Sequence, residues 1–248
     1  MSRVRQAVAR LMTESKRDAP HFYITMEIDM EKASLMLQTA NRNREQRISA
    51  TALMVTALAE ALVEHPIFNS LMVDDLTTPQ QDVSVGVAIA TDAGLIAPAL
   101  LDCGGSGLEE VNRALVDLVE RTRSGRLKGR ELGGSTFTLS NLGMYDVTSF
   151  TAIINPPQVG ILATGCIEER VVVSGGSPAV RRVMTATLSA DHRAVDGAEA
   201  AVFLKRIGKA NRATKQISRL GGWRCLDGLK NRVLQFQNTM PLIQDLKN

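Results

Sequence analysis

The segment that most constrains the fold of this chain runs from Val183 to Leu204. Val183, Thr185, Thr187 and Ser189 alternate with Met184, Ala186, Leu188 and Ala190, the period of a strand whose two faces meet different surroundings. A helix is predicted from about Ala198, carrying Ala200, Ala201, Phe203 and Leu204. Only Asp191-His192-Arg193-Ala194-Val195-Asp196-Gly197 lies between the two. His192 is therefore held at a strand end, where a rigid sheet aims its imidazole into a cleft. The chain has three His, and imidazole is the side chain that titrates near neutrality, so His192 is the leading candidate for a general base. Asp196 begins an Asp-x-x-Glu box with Glu199, a pattern that a helix N-cap alone explains.

The rest of the chain alternates in the same way. Val4, Val8, Leu11 and Met12 predict an amphipathic first helix, and Phe22, Ile24, Met26 and Ile28 predict a strand. Ile48 to Leu62 is apolar on most sides, so a buried helix is expected there. Val83, Val85, Val87 and Ile89 read as one further strand. Ser106-Gly107-Leu108-Glu109 reads as a capping box opening a helix with Leu115, Leu118 and Val119 on one face. Strands dominate from Ser135 to Ala190, with Ser174-Gly175-Gly176-Ser177 as a turn. The fold class that accommodates this order is α/β, a two-layer sandwich in which a mixed β-sheet is covered by helices.

Composition removes other classes. A chain of 248 residues with 44% hydrophobic and 22% charged content can bury a sizeable core. No apolar run approaches the ~20 residues of a membrane helix, and no signal-peptide pattern opens the chain, so no membrane partner is expected. Cys103, Cys166 and Cys225 are an odd number without metal-like spacing. They predict reduced thiols in a cytosol-like compartment and no metal site. Gly104-Gly105-Ser106-Gly107 lacks the Lys and the spacing of a phosphate-binding loop. The net charge of +3 by itself argues neither for an acidic partner nor for nucleic acid, and a nucleic-acid partner is not expected.

Asp191-His192-Arg193-Ala194-Val195-Asp196-Gly197 resembles the Asp-His-Arg-x-x-Asp-Gly signature of the dihydrolipoamide acyltransferases, the E2 cores of 2-oxo acid dehydrogenase complexes. Its reduced form, His-x-x-x-Asp-Gly, is shared with chloramphenicol acetyltransferase. Four other segments are similar to the same family, in order. They are Arg5-Gln6-Ala7-Val8-Ala9 through Pro20-His21-Phe22, Asp92-Ala93-Gly94-Leu95-Ile96-Ala97-Pro98, Gly134 to Gly143, and Ile153-Ile154-Asn155-Pro156-Pro157-Gln158. The resemblance runs from about Arg3 to about Lys205 and implies a chloramphenicol-acetyltransferase-like sandwich.

It also implies a reaction, acyl transfer (acetyl by default) between dihydrolipoamide and coenzyme A. A thiol of pKa ~8.5 is only a few per cent thiolate near neutrality, so direct attack needs a base, and His192 fills that role. Ser140 aligns with the serine that family members use to bond the tetrahedral oxyanion. Asp196 matches the signature aspartate, which in the related acetyltransferases holds the site's framework through an arginine. Arg5 and Arg193 are both candidates for that arginine, and Asn155 joins them as a framework residue. His21 is read as structural.

The resemblance further implies a homotrimer, with the coenzyme A channel between subunits and trimers able to build a larger core. Lipoyl-domain protein and the E1 and E3 components are its expected partners, in bacterial cytoplasm or mitochondrial matrix. The chain shows no Asp-Lys-Ala-type lipoyl turn and no Ala/Pro-rich linker, so the lipoyl group is expected on another domain or protein. Leu101 stands where the family is often basic. Residues 1–207 are expected to be the catalytic domain and 208–248 a basic C-terminal extension, with Gly208 to about Asn231 as an insertion. Lys205 to Arg232 carries nine basic side chains against Asp227, read as a solvated face, with attachment to an acidic partner or weak nucleic-acid binding as the alternative. A coenzyme A-dependent acetyltransferase for a free small molecule and a non-catalytic scaffold subunit are the two other classes considered. The Asn155-Pro156-Pro157-Gln158 segment speaks against the first, and retention of both His192 and Ser140 against the second.

Overall fold

The computed structural model describes residues 3–92 and 94–210. Its helices are α1 (Arg3–Asp18), α2 (Glu31–Ala40), α3 (Ala50–Glu64), α4 (Leu108–Arg123) and α5 (Gly197–Ala210). Six strands form the main sheet: β1 (His21–Asp29), β4 (Val85–Val87), β7 (Ala99–Leu100), β8 (Phe137–Asn141), β9 (Gly160–Ser174) and β10 (Ser177–Asp191). Two hairpins stand apart from it, β2 (Ser70–Val73) with β3 (Leu76–Pro79), and β5 (Ile89–Thr91) with β6 (Gly94–Ile96).

The alternating run ending at Ala190 lies well inside the sheet, whose order is β1-β10-β9-β8-β4-β7. β10 pairs antiparallel with β1, His21 opposite Asp191, and antiparallel with β9 through a turn at Gly175-Gly176. Both glycines have positive φ, where a side chain would be strained. β8 joins β9 parallel and β4 joins β8 parallel, so the sheet is mixed.

One face of this sheet is apolar and covered by helices. Phe22, Ile24, Met26 and Ile28 share it with Ala190, Leu188, Ala186 and Met184, their register partners on β10. Phe203 of α5 joins the layers: its ring stacks on Phe68 at 4.1 Å between centroids and meets Phe137 of β8 edge-on at 5.8 Å. All three rings are fully buried. α3 has no polar face because it is sandwiched, with Ala52, Val55, Leu58 and Leu62 buried. Ser49 caps it, its hydroxyl accepting from the Ala52 N–H at 3.0 Å. Arg206 of α5 clamps Glu64 of α3 through two bonds of 2.6 Å.

The other face is lined with hydroxyl groups. Thr25, Thr187 and Ser140 lie on one row across the sheet, with Ala163 between the last two. Ser189 donates to the Ala152 carbonyl at 2.7 Å and Thr138 donates to Gln158 Oε1 at 2.6 Å. The segment carrying Asn155, Pro156 and Pro157 is thereby held over this face.

Two expectations are corrected. The strand read through Val83–Ile89 breaks in two: the Val87 N–H donates to Pro98 O and the Ala88 N–H to Leu139 O, and the chain then leaves the main sheet for the β5–β6 hairpin. α4 is capped by Gly107, which makes no side-chain bond, so the Ser106 box is not formed. α2 and the β2–β3 hairpin come from stretches without a clear period. α5 runs through Ala210. The rest of the 208–248 extension, with Cys225 and the basic residues beyond Lys209, lies outside the described residues.

Candidate active site

His192 follows the last residue of β10 and is exposed. Its backbone N–H donates to Pro20 O at 3.1 Å, which ties it to the start of β1. Its ring packs on Phe22, 4.8 Å between centroids. The neighbours on either side hold the turn. Asp191 is 1% exposed, and its carboxylate accepts from the Arg193 backbone N–H at 3.0 Å and from Arg193 NH2 at 2.7 Å. Arg193 also donates to Asp75 at 2.9 Å. Its hydrogen bonds to Asp191 outweigh the opposing effect of burial and hold the guanidinium above its ordinary pKa. His192 is thus aimed by a clamp built from the two residues flanking it.

Asp196 is committed locally. Its Oδ1 accepts from the N–H groups of Ala198 at 2.8 Å and Glu199 at 2.9 Å, and Glu199 Oε2 accepts in return from the Asp196 N–H at 3.0 Å. This is a complete capping box on α5. Of the two candidate framework arginines, Arg193 goes to Asp191 and Asp75. Arg5 is exposed on α1, about 20 Å of helix from Asp18. Asn155 is half-buried, and its carbonyl accepts from the Gln158 N–H at 3.0 Å. Gln158 is buried and ties Ser135 to Thr138.

Ser140 is half-buried on β8, and among the described residues its hydroxyl makes no hydrogen bond. It lies in the row of Thr187, five residues of β10 before His192 and two strands away. At ~3.4 Å per residue and ~4.8 Å per strand, the two are roughly 20 Å apart within one chain. The structure does not bring them together.

His21 is fully used by the fold. The Ile154 N–H donates to Nε2 at 3.1 Å, which leaves Nδ1 to donate to Ala19 O at 2.8 Å. An open groove of about 540 Å³ lies beside it, lined by Lys16, Arg17, Asp18, Tyr23 and Arg193. Among the described residues no helix is long and apolar enough to cross a membrane, and no three His, Cys, Asp or Glu side chains gather as a metal site. The sequence reading gave no role to Asp191, Asp75 or Phe22. Asp191 carried a usable signal, an acid two residues before an Arg at a strand end. Asp75 carried none, since its partner is 118 positions away.

The profile of the 2-oxoacid dehydrogenases acyltransferase catalytic domain matches residues 1–217. The chain belongs to this family. It is 38% identical over 214 residues to the mitochondrial acetyltransferase component of the pyruvate dehydrogenase complex of Schizosaccharomyces pombe, covering 84% of this chain and 44% of the relative. It is 35% identical over 205 residues to the corresponding component of Rickettsia felis, covering 81% and 50%. The chain therefore spans about half the length of the curated relatives it matches.

Solved family members superpose closely. A dihydrolipoamide acetyltransferase of Azotobacter vinelandii, studied for the role of a serine, a histidine and an asparagine in its mechanism, gives a TM-score of 0.81 at 27% identity, covering 87% of this chain and 90% of that one. The cubic core of a pyruvate dehydrogenase multienzyme complex gives 0.81 at 28%, covering 87% and 90%. Chloramphenicol acetyltransferase shares the fold, with a TM-score of 0.53 at 14% identity, covering 81% and 93%. The sandwich expected from the sequence is therefore the family's fold.

Proposed function

We propose that this acyltransferase domain moves an acetyl group between dihydrolipoamide and coenzyme A, as part of the core of a pyruvate dehydrogenase complex. One observation carries the reading. Ser140 and His192 stand as far apart in sequence as the serine and histidine studied in the Azotobacter enzyme, and Asp196 follows His192 at the interval that separates that histidine from the asparagine. Here the third residue is an aspartate, used as the α5 cap.

Coenzyme A and the dihydrolipoyl group are both substrates. In the forward direction His192 takes the proton from the coenzyme A thiol as its sulfur attacks the acetyl carbonyl. The Ser140 hydroxyl donates to the oxyanion that forms. Collapse breaks the bond to the lipoyl sulfur, which takes the proton back from the imidazolium. Positioned bases contribute ~10²–10⁴-fold, and one oxyanion donor ~2.7–4 kcal/mol. The roughly 20 Å between the two residues means that Ser140 must come from a second copy, consistent with a homotrimer and, by analogy with the cubic core, a larger assembly. Lipoyl-domain protein and the E1 and E3 components are the proposed partners, in mitochondrial matrix or bacterial cytoplasm, since one relative is mitochondrial and another bacterial.

The test is acetyl transfer from acetyl-CoA to free dihydrolipoamide, with His192→Ala alongside. Loss of at least ~100-fold in the variant supports the reading; a His192→Ala protein as active as wild type removes it.

A further inference from the structure

His192 can act as a base only if the turn that carries it is held still. Toward β1 the turn is tied twice, by the His192 N–H on Pro20 O and by the contact of its ring with Phe22. Within itself it is closed by Asp191, whose carbonyl accepts from the N–H groups of Ala194 at 3.0 Å and Val195 at 3.2 Å. The Asp191 carboxylate also accepts from Arg193 Nε at 3.1 Å and Nη2 at 2.7 Å. Bonds between residues two to four positions apart shape the turn, but they do not fix where it points. The other arm of the guanidinium does reach a separate element: Nη1 donates to Asp75, 118 positions away, at 2.9 Å.

Asp75 is built to be a fixed point. Val73 pairs with Leu76, so Asp74 and Asp75 alone make the turn of the β2–β3 hairpin, with φ of 50° and 59°. Two left-handed residues match the twist of a hairpin, but the second place usually goes to glycine. An aspartate there carries backbone strain, and such strain gathers at functional positions. The strands behind the turn are braced. The Met72 N–H donates to Pro157 O at 2.6 Å, and Leu71 pairs with Gln158. At the base of the hairpin the buried Asn69 donates to the carbonyls of Gln80 at 2.9 Å and Asp82 at 3.2 Å. Gln158 in turn accepts from Thr138 of β8 at 2.6 Å.

The geometry points to Asp75 as a positioning residue: by holding Arg193 from a separate, braced hairpin, it sets the direction in which the turn presents His192. The assignment rests on the reading that His192 is the base. Asp75 touches no reacting atom and acts through orientation, where a displacement of about 1 Å can cost ~100-fold. Its carboxylate is exposed and is one of two partners of Arg193, so only a part of that loss is expected.

The test is Asp75→Gly in the full chain. Glycine is the residue that such a turn favours, so the hairpin is kept while the carboxylate is lost. A fall in kcat of about fivefold to tenfold is expected, with KM within about twofold of wild type. Asp74→Gly changes the same turn outside the contact with Arg193 and is expected to keep the wild-type kcat. In an Arg193→Lys background, which lacks the guanidinium fork, Asp75→Gly is expected to lower kcat by no more than about twofold further. A wild-type kcat in Asp75→Gly overturns the assignment, as does an equal fall in Asp74→Gly or an undiminished effect in the Arg193→Lys background.

Carbethoxylation of His192 by diethyl pyrocarbonate, read by mass spectrometry at one pH, follows the imidazole without reference to catalysis. Loosening of the ring from Phe22 is expected to speed it about twofold or more in Asp75→Gly, and an unchanged rate overturns the assignment. Should Asp75→Gly misfold, Asp75→Asn keeps the left-handed turn and a neutral acceptor but loses the charge. It is expected to lower kcat about threefold, and a wild-type kcat there overturns the assignment. If wild type transfers no acetyl group while the His192 rate still responds to Asp75, the catalytic reading fails and the positioning stands.

Discussion

The roughly 20 Å between Ser140 and His192 leads to a complementation experiment. Both residues must act within about 3 Å of the same reacting atoms, and side chains of this length cannot close such a gap on a sheet. Inactive chains of two kinds should therefore repair each other. His192→Ala and Ser140→Ala are co-expressed with different tags and purified through both, so that only mixed assemblies remain. In a ring of three, each site takes its histidine from one chain and its serine from the next. Either mixed composition then contains one intact site, and about one third of wild-type transfer is expected. Pure Ser140→Ala assemblies should retain only ~0.1–1%, so the rescue is roughly thirtyfold or greater. A mixed assembly no more active than the better of its parents would falsify the shared site.

Other outcomes follow from single contacts. Ser140→Ala should lower kcat far more than it raises KM, because the oxyanion exists only along the reaction; a change confined to KM removes the assigned role. Asp196→Ala should cost about 1 kcal/mol of stability through loss of the α5 cap; urea unfolding with an unchanged midpoint counts against it. Burial pushes the Cys103 thiol up to about 11. At pH 8 the folded protein should therefore alkylate there about 100-fold more slowly than an ordinary cysteine, which mass spectrometry of the peptide reads directly. Hydrogen bonding from Arg121 holds Glu131 below the usual carboxylate range. Its stabilising contribution is full above the unfolded pKa of about 4.3 and is lost as pH falls through the lower folded value. Glu131→Gln should flatten that acid limb in thermal melts, and an unaltered limb excludes Glu131 as its source.

What the sequence disclosed depended on how local the physics was. β1 and β10 were legible because each alternates over a long run, and α3 because nine of its fifteen residues are buried, leaving no polar face to be mistaken for a surface helix. The Asp196–Glu199 box was legible because every partner lies within three residues. The capping box at Ser106 misled for a related reason: Gly107 can start a helix without a side-chain bond, so a serine one position earlier carries no information. The split at Val87 was invisible because its cause, pairing with Pro98 and Leu139, is not local.

The site shows the same division, with one further step. His192 was legible as a strand-end imidazole, and its clamp was half legible, since Asp191 is two positions from Arg193 while Asp75 is 118 away. Ser140 could be named from its motif, but its separation from His192 is a property of sheet register. Two strands and five residues put roughly 20 Å between the two within one chain. If the proposed mechanism holds, the serine at His192 has to come from a second copy, and the complementation experiment decides that point.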